Sequence, residues 1–308
     1  MSLFLLTGIP GQEDVHLWIS IPFFLMYVIS IVGNLAILFI IKTDPRLHEP
    51  MYIFLSMLAI TDLGLSIVTI PTILGIFLFN SREIKISLDA CFAQMFFIHS
   101  LQFIESSVLL LMAFDRFIAI CNPLRYASIL TLPRVAKMGL VFVLRAVAVI
   151  FPLPFLLKRF RFFRANILSH SYCLHQDIMK LVCSDITVNN IYGFFITVIT
   201  VGLDSLLIFL SYVMILKAVL RITSPTKCLR ALNTCVSHLC AVLLFYMPEF
   251  SLTLIHRFWK SSSPLLQIVL GYVYLVSLAP GPSAGGIGIK KLRTRRLIPS
   301  WTLISVMT

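Results

Sequence analysis

Seven apolar runs decide most of what this chain can fold into, because a run of roughly 20 such residues crosses the hydrocarbon core of a bilayer. They cover residues 17–41, 51–79, 88–120, 135–157, 191–220, 232–255 and 265–278, the last being short. With 59% hydrophobic and 12% charged residues among 308, the chain holds too little polar material to cover a water-soluble globule. Backbone polar groups in lipid must be satisfied within their own segment, so each run reads as a helix. The expected fold class is therefore an all-α membrane protein, a seven-transmembrane helix bundle. Its layout would be a short extracellular N-terminus (1–16), the bundle (17–280) and an atypical cytoplasmic tail (281–308).

Orientation follows from the charges between the runs. Lys42, Arg46, Arg125, Arg134, Lys227 and Arg230 lie in the loops 42–50, 122–134 and 221–230, and Lys290, Lys291, Arg293, Arg295 and Arg296 in the tail. The positive-inside rule places these in the cytoplasm, so the N-terminus, with Glu13 and Asp14, is outside and the C-terminus inside. The basic stretch KRFRFFR at 158–164 argues the other way, but the rule is a bias summed over all loops. Lys and Arg outnumber Asp and Glu 25 to 13, yet as short clusters between apolar runs rather than a stripe for nucleic acid. Seven cysteines cannot all pair within the chain, and none has metal-site spacing. No basic n-region with a small-residue cleavage site precedes the first run, so no cleaved signal peptide is expected.

The stretch MAFDRFIAICNPLRY at 112–126 puts Asp115 and Arg116 where an apolar run ends and a basic loop begins. On charge alone the pair reads first as a helix-end anchor, with Arg116 snorkelling to the interface; its neighbours point to functional work. Asn34, Asp62, Glu105, Asp204 and Glu249 lie deep in other runs. Asn34, Asp62 and Glu105 could form one polar pocket for a cation, or Asp62 and Glu105 a protonated hydrogen-bond knot between helices. Both readings stay open. No nucleophile–base pair or phosphate-binding motif points to an enzyme, and no catalytic residue is assigned.

Gly33–Asn34, PMYIFLSMLAITDL at 50–63, the stretch 112–126, Ser211–Tyr212 and ALNTCVSHLC at 231–240 resemble the olfactory receptor family of G-protein-coupled receptors. LTGIPG at 6–11 and SYCLHQ at 171–176 resemble its class I, fish-like branch. The resemblance implies an odorant receptor, multi-pass in the plasma membrane and embedded in its lipid, which activates a stimulatory olfactory-type heterotrimeric G protein and raises cyclic AMP. Asp115 and Arg116 would lock the inactive state, and Tyr212 would be the arginine's partner on activation. Asp62 and Glu105 map to a sodium-type pocket, which favours Na+ as the one ion bound; no other cofactor is implied.

The family likeness also implies a ligand set. Class I receptors favour carboxylic acids and other polar odorants, and Arg257 would anchor the acid through its planar two-pronged guanidinium. His99, Gln176 and Thr253 would add polar contacts, and Phe97, Ile98, Phe103 and Ile104 an apolar wall. Glu249, two turns below Arg257 on roughly the same helical face, is unusual in that company. It implies weakened acid affinity, or a bifunctional ligand that also carries an amine. A disulfide from Cys91 to Cys173 is implied as well.

Several departures stand out. A second loop disulfide would tie position 163 to Cys183, but Phe163 is not cysteine, so Cys183 lacks that partner. No N-x-[ST] sequon occurs in the chain. Where the family runs an Asn-Pro-x-x-Tyr pattern into a short basic helix, this chain has SLAPGPSAGGIGIKKLRTRR at 277–296. Two prolines and four glycines there oppose a helix, giving the alternative of a membrane-inserted but signalling-defective, pseudogene-like receptor.

Overall fold

The computed structural model describes residues 3–7, 16–78, 83–160, 167–168, 171–221 and 225–258. The first three long helices are α1 (His16–Thr43), α2 (Pro50–Leu78) and α3 (Leu88–Cys121). A short helix α4 (Tyr126–Ile129) leads into α5 (Leu132–Ile150) and α6 (Pro152–Lys158). After a loop helix α7 (His175–Lys180) come α8 (Thr187–Thr197), α9 (Leu203–Val219) and α10 (Pro225–Phe258). Among the described residues, five segments are long and apolar enough to cross a membrane: Phe24–Thr43, Pro50–Ile76, Leu132–Lys158, Thr187–Val219 and Ala231–Ser251.

Helix α3 is the sixth long helix, and it carries several charges. Its 34 residues include Asp89, Glu105, Asp115 and Arg116. It tolerates them because it runs through the middle of the bundle, packed on α2, α5, α9 and α10. The run 265–278 and the atypical tail lie outside the described residues.

The observed helices refine the boundaries read from sequence. The run 135–157 is broken at Phe151, where Pro152 cannot donate back to the preceding turn, into α5 and α6. The run 191–220 begins earlier, at Thr187, and contains a π-helical insert, Val198–Gly202, between α8 and α9. Helix α10 starts at Pro225, inside the stretch read as a loop.

One feature corrects a purely helical fold. Strands β1 (Leu3–Thr7), β2 (Glu83–Ser87) and β3 (Ile167–Leu168) form a small sheet in the order β2-β1-β3. β1 runs antiparallel to β2, with Leu3 opposite Ser87 and Thr7 opposite Glu83, and parallel to β3. Its alternation is that of a half-buried strand: Phe4 is 1% exposed and Leu6 0%, while Leu3 faces out. The sheet caps the end of the bundle where α2 stops and α3 starts. The implied disulfide is present there, joining Cys91 of α3 to Cys173 across 82 residues. Lys158, which opens the contrary basic stretch, pairs with Asp89 at 2.9 Å close to that bond.

Large apolar side chains such as Phe39, Ile67, Ile191 and Phe209 point outward from the bundle, as a lipid-facing surface requires. The main core instead joins Phe92, Met95 and Ile98 of α3 to the capping strand and to α9 and α10.

Candidate functional site

Opposite the sheet, the last turns of α3 present the acid–arginine pair. Arg116 Nη2 lies 2.7 Å from Asp115 Oδ2, with the Asp115 side chain 0% exposed and that of Arg116 18%. The Tyr126 hydroxyl donates to Asp115 Oδ1 at 2.7 Å from the loop helix α4. Burial first, then the bonded Asp115 carboxylate, push that hydroxyl's pKa up, so Tyr126 stays a donor. Arg116 also touches Met51 Sδ at the start of α2. Tyr212 of α9 does not meet Arg116 here: its hydroxyl hydrogen-bonds His238 Nδ1 of α10 at 2.5 Å, and the two rings stack. Arg116 is held by Asp115 on one side and Tyr212 by His238 on the other.

Deeper in the bundle, a second polar chain links four helices. Both terminal nitrogens of Arg145, on α5, donate to Asp204 Oδ1 at 3.1 Å, and Asp204 heads α9 just after the π-helical insert. Ser106 of α3 donates to Asp204 Oδ2 at 3.1 Å and shares a 2.8 Å bond with the Tyr246 hydroxyl of α10. A charge 1% exposed in this setting persists because it is paired and hydrogen-bonded. The sequence reading noted Asp204 without a role and passed over Arg145, although an arginine within an apolar run was the signal to follow. Tyr126 and His238 were also missed, each inside a quoted motif.

The structure brings together Asn34, Asp62 and Glu105, the three residues expected to form an ion pocket. Asp62 faces Glu105 and Asn34, and all three are buried. Among the described residues, both Asp62 carboxyl oxygens, one of Glu105 and both amide atoms of Asn34 have no hydrogen-bond partner of good geometry. Two residues after Asp62, Gly64 lets α3 approach, since a Cβ there would meet Leu101 at 3.1 Å. Two oxygen-rich side chains and an amide with unused lone pairs suit a small hard cation such as Na+. Among the described residues, no group of three His, Cys, Asp or Glu side chains forms a further metal site.

Toward the capped end lie the expected ligand residues. His99 is half-buried, with Nδ1 3.2 Å from Gln102 Oε1. Gln176 is half-buried on α7, in the loop tied down by Cys173. Beside it, His175 packs against Gly193 of α8, a neighbour that the quoted SYCLHQ contained but the ligand set did not. Glu249 lies within electrostatic reach of Glu105 and Tyr246, nearer the ion pocket than its helical spacing from Arg257 conveyed. The backbone of Thr253 and Arg257 belongs to the last turns of α10; their side chains lie outside the described residues.

The apolar wall needs correction. Phe97 is 51% exposed and points away from the bundle. Ile98 is fully buried, Phe103 packs on the main core, and Ile104 joins a different cluster with Phe54 and Val108. Consecutive helical residues stand about 100° apart, and here 97 and 98, like 103 and 104, meet different surroundings. Cys183 is exposed and unbonded, in accord with the missing partner at 163, and Cys121, Cys228, Cys235 and Cys240 are free thiols.

A bundle of membrane helices with an acid–arginine ion pair at the end of its central helix, and no catalytic constellation read in its sequence, fits the architecture of a G-protein-coupled receptor. The family model described as olfactory receptor matches residues 23–293. The chain is 59% identical over 295 residues to human olfactory receptor 51G2, covering 96% of this chain and 93% of that one. It is 58% identical to human olfactory receptor 51A7 (90% and 88% covered) and 55% to 51G1 (96% and 91%). The chain belongs to the olfactory receptor family, in its class I branch. It is thus an odorant-sensing, multi-pass membrane receptor and not an enzyme.

Proposed function

We propose that this chain is a seven-helix receptor of the plasma membrane, N-terminus outside and C-terminus inside, that detects carboxylic-acid or similarly polar odorants. Residues 1–16 form its outer N-terminus, 17–280 the bundle and 281–308 the cytoplasmic tail. It signals through a stimulatory olfactory-type G protein and raises cyclic AMP. The positive loops 42–50, 122–134 and 221–230 support this orientation, and a disulfide at the opposite end fits the oxidising side.

The observation that carries the reading is the closed arrangement at the inner end, Asp115 with Arg116 and Tyr212 with His238. An agonist shifts such a two-state element only through unequal affinity for its states. The agonist site comprises His99, Gln176, Glu249, Thr253 and Arg257, with Arg257 the carboxylate anchor. Asn34, Asp62 and Glu105 hold Na+ below it. Two carboxylates this close repel unless a proton or a cation sits between them.

A second reading is favoured by one sequence feature, the Pro- and Gly-rich segment 277–289: a receptor that inserts and binds but does not signal. One experiment separates the two. Cells supplied with the olfactory G protein are challenged with a graded carboxylic-acid panel, with cyclic AMP and surface staining as readouts. This chain, its Arg257→Ala variant and a version with 277–289 rebuilt to the family pattern are run together. The leading reading expects acid responses from this chain that Arg257→Ala abolishes at equal surface level. A response from the rebuilt version alone establishes the second reading. Silence from both at normal surface level contradicts the acid pocket.

A further inference from the structure

Two buried polar atoms in the upper bundle have no partner among the described residues, and they sit on the same pair of side chains. Gln102 is 4% exposed, and its Nε2 meets no acceptor; the Nε2 of His99, shut off from solvent, is likewise unused. The two residues are joined through their other atoms, Gln102 Oε1 and His99 Nδ1, at 3.2 Å. Residues 99, 102 and 106 fall on one face of α3. Ser106 fixes where that face looks, since it bonds Asp204 of α9 and Tyr246 of α10. Gln102 and His99 therefore face the space between α3, α10 and the π-helical insert and last turn of α8, one and two turns outward from that bond.

The chemistry of a joined amide and neutral imidazole is restrictive. If Gln102 accepts from Nδ1–H, its amide nitrogen remains a donor and His99 Nε2 an acceptor. If the amide is turned and donates to Nδ1, its oxygen remains an acceptor and Nε2–H a donor. In both orientations the pair presents one donor and one acceptor side by side. A carboxylate, with acceptors only, satisfies half of that; a group with its own donor and acceptor satisfies all of it.

We propose that Gln102 and His99 form a subsite for a ligand group presenting an adjacent hydrogen-bond donor and acceptor, a primary carboxamide or an undissociated carboxylic acid. This rests on the reading of the upper bundle as the odorant pocket. Gln102 is its specificity-determining member. It makes the pocket's depth selective for an uncharged polar head, while the rim at Arg257 takes an anionic one.

The test is thermal unfolding of the full chain in lipid nanodiscs, titrated with primary amides from butanamide to octanamide, their N,N-dimethyl counterparts and hexanoic acid. The dimethyl compounds keep the carbonyl and lose the donor. The primary amide is expected to bind about tenfold or more tightly than its dimethyl counterpart, the effect of one hydrogen bond in a closed site. Gln102→Met should abolish that preference while leaving the ligand-free midpoint unchanged or higher, because it removes a buried donor with no partner. Equal affinity for the two amides in the wild type, or a preference that survives in Gln102→Met, overturns the proposal. Should Gln102→Met fail to fold, the wild-type ratio and the shorter Gln102→Asn decide in the same way. Binding of hexanoic acid that depends on Arg257, with no amide preference, sinks the subsite alone. If no compound binds, the pocket reading falls with it.

Discussion

Asp204 is the residue whose surroundings explain most about this bundle. An aspartate 1% exposed among lipid-facing helices persists because Arg145 supplies a charge and Ser106 a hydrogen bond. Removing one partner of such a pair strands the other, which costs far more than replacing both. Arg145→Leu is therefore expected to destabilise the bundle by about 3–5 kcal/mol, and Arg145→Leu with Asp204→Leu to recover most of the loss. Thermal unfolding in nanodiscs measures both; a double variant no better than the single would show that the pair is not the cause. The sequence displayed the acid and not its partner, because a pattern along the chain does not say which two helices touch. The same limit separates Asp115–Arg116, adjacent in sequence and legible, from Tyr212–His238, 26 residues apart and legible only once α9 and α10 are packed. Gln102 was invisible for a further reason, since an amide within an apolar run carries no charge to single it out.

At the scale of elements, the first six apolar runs were legible as helices from their length, whereas the helix ends followed local chemistry that length does not register. Pro152 breaks one run into α5 and α6, and Pro225 starts α10 earlier than its apolar stretch. The β1–β2–β3 cap escaped notice because the five residues at 3–7, four of them apolar in a row with no polar alternation, are a weak signal until their partners at 83–87 and 167–168 are in place. Phe4 and Leu6 bind this cap to the same core as Cys91 and Cys173. Phe4→Ala should cost about 3–5 kcal/mol, the usual loss for a buried aromatic. Hydrogen exchange at 83–87 should rise with it. If those amides exchange no faster in the variant, the strand is not held by its buried side chains.

For the whole molecule, one end is fastened and the other is poised. The sheet, the disulfide and the Lys158–Asp89 pair tie α3 to the loops at the capped end. The opposite end relies on a few polar contacts among α3, α4, α9 and α10 that can be exchanged. On the proposed reading, a ligand bound between the ends moves the helix ends opposite the sheet without dismantling the fold. The most direct test is a distance measurement between nitroxides at Leu124, after α3, and Leu229, on α10, both exposed. It uses the full chain in nanodiscs, with the five free cysteines replaced. The account predicts a single short distance without ligand, and a second, longer component once hexanoic acid and the stimulatory G protein are added together. A distribution that stays unchanged with both present, in protein that still unfolds cooperatively, would contradict the switch.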